Sequence, residues 1–99
     1  MKAVWNDTVI AEADKDDLIY IEGNWYFPSS SVNTDLLTET DTPYHCPWKG
    51  DCQYFTITAN GESNQDAAFT YPEPKDTAIE RVKKDFGGYI TFWRGVEVS

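Results

Sequence analysis

Ninety-nine residues and 11.3 kDa are the size of one compact domain, so a multidomain machine is excluded. Eight Lys and Arg against seventeen Asp and Glu give a net charge of minus nine, which makes stable nonspecific binding to a nucleic-acid backbone an unexpected role. A 40% hydrophobic share with 15% aromatics supplies the apolar surface that disordered acidic chains lack, and no apolar run suits a signal peptide or a membrane span. A single domain, 1–99, in a cytoplasmic setting with no membrane partner is the expectation.

Short strand-like runs separated by turn residues dominate the chain. Val4-Trp5, a turn at Asn6-Asp7, and Thr8 to Ala11 read as a first hairpin, closed by the acidic break Asp14-Lys15-Asp16-Asp17. Leu18 to Glu22, a two-residue loop at Gly23-Asn24, and Trp25-Tyr26-Phe27 read as a second, ended where Pro28 removes a ladder donor. Pro28 to Ser31 suits a turn, and Leu36 to Thr40 a short strand stopped by Asp41-Thr42-Pro43.

The longest alternation is Asp51 to Ala59. Gln53, Phe55, Ile57 and Ala59 share one face, and Cys52, Tyr54, Thr56 and Thr58 the other, with Phe55 and Ile57 expected in the core. Asn60-Gly61 is a strong hairpin signal, so a strand near Asp66 to Tyr71 should return beside it, with Ser63-Asn64-Gln65 loosening the register, before Tyr71-Pro72-Glu73-Pro74 leaves the sheet. Thr77 to Lys84 alone has helical spacing, with Ala78, Ile79 and Val82 on one side and Gly87-Gly88 as a stop. Tyr89 to Trp93 and Val96 to Val98, joined at Arg94-Gly95, suggest a terminal hairpin. The fold class is mainly β: a compact antiparallel bent sheet, sandwich or partly open barrel with one short helix.

Charge placement is the most informative pattern. Between Asp16 and Pro74 lie Asp16, Asp17, Glu22, Asp35, Glu39, Asp41, Asp51, Glu62, Asp66 and Glu73, against one Lys or Arg, Lys49. It sits in Cys46-Pro47-Trp48-Lys49-Gly50, where Pro fixes φ, Trp gives a rigid wall and Gly permits close backbone approach to a ligand. Such a loop can present an ammonium to an anionic group; its plainer reading is an ion pair with Glu22 or Asp51 over a core Trp48. Glu22-Gly23-Asn24-Trp25-Tyr26-Phe27-Pro28 offers aromatic walls with a carboxylate and a carboxamide to orient a ligand, or else an ordinary hairpin with core aromatics. Tyr54 and Tyr71 could add hydroxyls.

Metal and nucleophile chemistry have weaker signals. Cys46 and Cys52 lack the Cys-x-x-Cys spacing of structural zinc, and no metal or cofactor is expected. His45 and Cys46, as neighbours on an extended segment, point apart and form no dyad, so His45 is expected to face solvent. A Cys46–Cys52 disulfide is conceivable, but both are expected as thiols in a reducing compartment. Asp14-Lys15-Asp16 reads as a solvated turn rather than a metal pair.

Glu22-Gly23-Asn24-x-Tyr26-Phe27-Pro28, His45-Cys46-Pro47-Trp48-Lys49-Gly50, Tyr54-Phe55, Ala68-Phe69-x-Tyr71-Pro72-x-Pro74 and Tyr89-Ile90-Thr91-Phe92 together resemble the bacterial domain of unknown function 427 family. The likeness runs over nearly the whole chain, and Cys-Pro-Trp-Lys-Gly is its most specific part. It implies antiparallel strands similar to the β-tent domains that elsewhere carry structural zinc or an aromatic ligand cage; the zinc cysteines are missing here. It also implies a nucleotidyltransferase label, but no Gly-Ser pair precedes Asp14-Lys15-Asp16 as polymerase-type enzymes require. The motif positions give a candidate site of Glu22, Asn24, Tyr26, Cys46, Trp48, Lys49 and Tyr71. In it Lys49 would neutralise a polar or anionic small molecule, Tyr26 and Trp48 would stack on a planar part, and Glu22 with Asn24 would fix orientation. A protein interaction module and a nucleotidyltransferase are the competing functions.

Overall fold

Pairs of left-handed residues at tight turns lay down the sheets. In the computed structural model, which describes residues 1–99, β1 (Lys2–Trp5) and β2 (Thr8–Glu12) meet at Asn6 and Asp7. Their φ values of 50° and 59° are the pair that a two-residue hairpin loop requires. The second hairpin, β3 (Ile19–Ile21) and β4 (Asn24–Tyr26), turns one residue earlier than its sequence suggests. Asn24 pairs with Ile21, and the left-handed positions are Glu22 at 50° and Gly23 at 86°. Between the hairpins Lys15–Asp17 forms one 3-10 turn, and Ser29–Ser31 forms another after Pro28.

Strand β5 (Leu37–Glu39) precedes a minimal pair, β6 (His45–Cys46) and β7 (Gly50–Asp51), that brackets Pro47-Trp48-Lys49. Strands β8 (Gln53–Ala59) and β9 (Glu62–Thr70) join through Asn60 (52°) and Gly61 (77°). β9 therefore starts at Glu62 rather than near Asp66: Glu62, Ser63 and Asn64 pair with Ala59, Thr58 and Ile57. The ladder slips just beyond, between Phe55 and Ile57, opposite a bulge where Asp66 takes a φ of 56°.

Helix α1 (Asp76–Val82) occupies the expected place but stops when Lys83 turns left-handed at 67°, four residues before Gly87-Gly88. The expected terminal hairpin is not formed. β10 (Ile90–Phe92) pairs with β9, and β11 (Glu97–Val98) pairs with β1, so the Arg94-Gly95 turn passes the chain between two sheets. The sheets run β11-β1-β2 and β10-β9-β8-β5, all antiparallel, with β3-β4 attached to β10 through a Phe27–Ile90 bridge. The protein is mainly β with no closed barrel, and no helix is long and apolar enough to cross a membrane.

The β10-β9-β8-β5 sheet has an apolar cluster on each face. Ala3, Ile10, Leu18, Phe27, Ile57, Ala68, Ile90 and Phe92 belong to the first, with Phe55 packed against it, as the alternation predicts. Ile19, Ile21, Tyr26, Cys46, Tyr71, Ala78 and Phe86 form the second, joined by Trp48, Cys52 and Phe69. The site lies on this second side.

Candidate ligand-binding site around Lys49

The Lys49 loop is clamped from α1 and the segment before it. Lys75 donates its backbone N–H to the Lys49 carbonyl at 2.9 Å and its Nζ to the Pro47 carbonyl at 2.9 Å. Gly50 has a φ of 118°, and a Cβ there would stand 3.3 Å from the Glu73 carbonyl. The glycine thus admits the chain's own backbone rather than a ligand. The Arg81 guanidinium lies 4.5 Å from the Trp48 ring centroid and fixes that indole.

Held this way, the Lys49 side chain is 8% exposed, and its Nζ lies 2.7 Å from Glu22 Oε1. Its centroid distances of 5.1 Å to Trp48 and 5.2 Å to Tyr71 add two cation–π contacts. Of the two carboxylates that could have paired with it, Glu22 does so and Asp51 instead receives His45 Nδ1 at 2.7 Å. Hydrogen bonding from Lys49 holds the Glu22 carboxyl below its ordinary range, aided by the Lys49 charge, Trp48 and Arg81 and opposed by slight burial. Glu22 remains largely in water, at 57% side-chain exposure, so the pair contributes little to stability.

Beside the ammonium opens a hollow of about 360 Å³, lined by Asn24, Tyr44, Lys49, Tyr54, Phe69, Tyr71 and Trp93. Strand alternation explains the lining: Tyr54 on β8 is paired with Phe69 on β9, and Tyr71 and Trp93 extend the same face. Tyr54 and Trp93 stack with centroids 6.2 Å apart, while Phe69 meets Tyr71 and Trp93 edge-on at 6.1 and 5.8 Å. The Trp93 indole N–H is anchored on the Asp66 carbonyl, and the Asp66 carboxylate accepts hydroxyls from Thr40 and Thr42 at 2.7 Å each. Burial raises the phenol pKa values of Tyr71 and Tyr54 above the usual range, so both stay protonated donors at neutral pH.

Asn24, Lys49 and Tyr71 line the hollow as the motifs suggest, and Glu22 and Trp48 act on Lys49 without lining it. Tyr26 and Cys46 do not reach it; both are buried in the second cluster, where Tyr26 packs edge-on against Phe69 and Phe86. The rings that line the hollow are those of Tyr44, Tyr54, Phe69, Tyr71 and Trp93, not the expected Tyr26 and Trp48. Tyr44, Phe69 and Trp93 line the hollow without being among the expected site residues; the shared parity of Phe69, Tyr71 and Trp93 is the sequence signal that points to the last two.

Two larger hollows are less organised. One, bordered by Pro43, Tyr44, His45, Asp51 and Cys52, holds the exposed His45–Asp51 pair, with His45 facing solvent as expected. Both cysteines are free thiols, and burial, the largest influence on Cys52, pushes its pKa up to about 11, which disables it as a nucleophile near neutrality. The other, beside Asp16, Asp17 and Asp85, is polar and open. No curated protein matches the chain. A family model described as "Domain of unknown function (DUF427)" matches residues 1–98, and the chain belongs to that family.

Proposed function

We propose that the hollow beside Lys49 binds a small planar molecule through an anionic or strongly polar group. The observation that carries this is the ammonium itself: 8% exposed, fixed between Trp48 and Tyr71, and forming part of a ring-lined wall. Keeping a cation out of water costs free energy that one exposed carboxylate repays only in part. A site that uses the remaining N–H donors gives that placement a purpose. Flat rings on several sides suit a planar body, and Asn24, Tyr54 and Tyr71 supply polar groups that fix its orientation.

The other functions have less behind them. Nucleotidyl transfer, which the family model's short name suggests, needs carboxylates gathered to hold metal beside the phosphates, and no three His, Cys, Asp or Glu side chains are so grouped. Of the exposed rings that could serve a protein partner, Tyr44 and Trp93 belong to the hollow, and Tyr20, packed on Trp25, stands alone outside it.

A thermal-shift panel of nucleotides, nucleosides and small organic acids at low salt tests the proposal. A ligand at ten times its Kd stabilises by about 1.4 kcal/mol, a rise in Tm of roughly 5–10 °C for a domain of this size. The shift should vanish in Lys49→Met and persist in Lys15→Met, whose ammonium sits over Trp25. Absence of any shift at millimolar ligand, or a shift that survives Lys49→Met, would sink it.

A further inference from the structure

We infer that the ligand is a planar monocarboxylic acid, and that Glu22 is the residue that limits the site to a single negative charge. The inference rests on the proposed function of the hollow and assigns its ligand class. The starting point is how Lys49 is shared. Glu22 takes one N–H of Nζ without being among the residues that line the hollow, and so leaves other donors of the ammonium to a ligand. Glu22 holds this position from a left-handed backbone conformation that costs a residue with a Cβ about 1 kcal/mol. The same left-handed pair, Glu22 and Gly23, closes the β3-β4 hairpin, and it sets a carboxylate beside the one buried ammonium.

The local charge count then sets the ligand's charge. Lys49 is the one charged residue that lines the hollow. Two further charged side chains touch its lining: Arg94, 4.7 Å from the Trp93 ring, and Glu22 on the Lys49 ammonium. These three groups leave a surplus of one positive charge, which a carboxylate balances. A phosphomonoester brings two negative charges, and the second must be placed near Glu22 in a protein that already carries minus nine. A neutral amide forgoes the ion pair altogether. The donors fit the same class, because the Lys49 ammonium and the Tyr71 hydroxyl can each donate to one carboxylate oxygen while the ring lies against Phe69, Tyr54 and Trp93. A hollow of about 360 Å³ holds one or two fused rings.

Benzoate, phenyl phosphate and benzamide present the three charge states on one ring and are measured by titration calorimetry on the full chain at pH 8 and low salt. Benzoate should bind about tenfold more tightly than either of the others, and in Glu22→Gln phenyl phosphate should come to within about twofold of benzoate. Arg94→Gln should weaken benzoate several-fold and leave benzamide unchanged, an arm that survives if Glu22→Gln folds poorly. Phenyl phosphate or benzamide binding as tightly as benzoate, or a preference untouched by Glu22→Gln, overturns the charge assignment and leaves the hollow's role intact. If none of the three binds while a member of the broader panel does, the ligand class is wrong; if nothing in either set binds, the proposed function falls with it.

Discussion

The two faces of the β10-β9-β8-β5 sheet carry clusters of opposite character. The first holds only Ala, Ile, Leu, Val and Phe among its fully packed members, none of which titrates or needs a hydrogen-bond partner. The second holds two tyrosines and a cysteine, borders Lys49, and includes the one sealed side-chain polar atom that lacks a partner, the Tyr26 hydroxyl. A dry aliphatic interior is the cheapest way to stabilise a fold, whereas buried polar groups cost free energy unless satisfied. The difference sets a purely aliphatic and aromatic packing face against one that carries polar groups beside the proposed site, and it can be broken from either side.

The largest expected effect lies in the first cluster. Phe27 is fully buried, meets Phe92 edge-on at 5.6 Å, and exchanges two backbone hydrogen bonds of 2.8 Å with Ile90. Phe27→Ala should cost about 3–5 kcal/mol, a large share of the whole stability of a domain this size, read as a fall in the denaturant midpoint. A loss below about 1 kcal/mol would mean that this face does not carry the fold.

The division was partly legible beforehand. Asn6-Asp7 and Asn60-Gly61 announced their hairpins because positive φ is a local property of those residues, and the alternation through Phe55 and Ile57 marked the first cluster. Lys49 stood out because it is the only Lys or Arg in a long acidic stretch, and rarity survives without coordinates. What failed depended on choices made at a distance. Arg94-Gly95 has hairpin chemistry, yet β1 outcompetes β10 for β11, and no local signal reports that competition. The loop at Glu22-Gly23 lies one residue from its expected place, and Trp25-Tyr26-Phe27 is packed on both sides, Trp25 and Phe27 against the first cluster and Tyr26 in the second. The motif that groups Tyr26 with Glu22 and Asn24 carries no sign of which cluster its ring enters.

A mid-sized effect should appear in alkali, chiefly through the second cluster. Burial lifts Cys52 from 9.0 to about 11 and raises Tyr26 and Tyr71 well above 10.0. A folded pKa raised above the unfolded one means that the folded protein holds its proton longer, so the stabilisation is complete below the unfolded value and is lost as pH rises through the folded one. Unfolding free energy should be nearly level between pH 7 and 9 and then fall by roughly 2–4 kcal/mol toward pH 11. In Cys52→Ser the decline should begin nearer pH 10, where only the tyrosines contribute. A curve that stays flat to pH 11 would show these groups to be solvated, and the contrast between the faces would lose its electrostatic half.

The smallest effect is the most specific. Tyr26 is fully buried, and its hydroxyl touches neither a hydrogen-bond partner nor the hollow, so the oxygen contributes desolvation cost and nothing that offsets it. Tyr26→Phe keeps the ring against Phe69 and Phe86 and removes only that oxygen. Stability at neutral pH should rise by up to about 1 kcal/mol, the alkaline decline should shrink, and affinity for a ligand held by Lys49 should not change. A loss of stability instead would mean that the hydroxyl has a partner in solution, most simply a trapped water. A loss of binding with stability intact would extend the recognition site through the second cluster, and the boundary between packing and recognition would have to be moved inward past Tyr26.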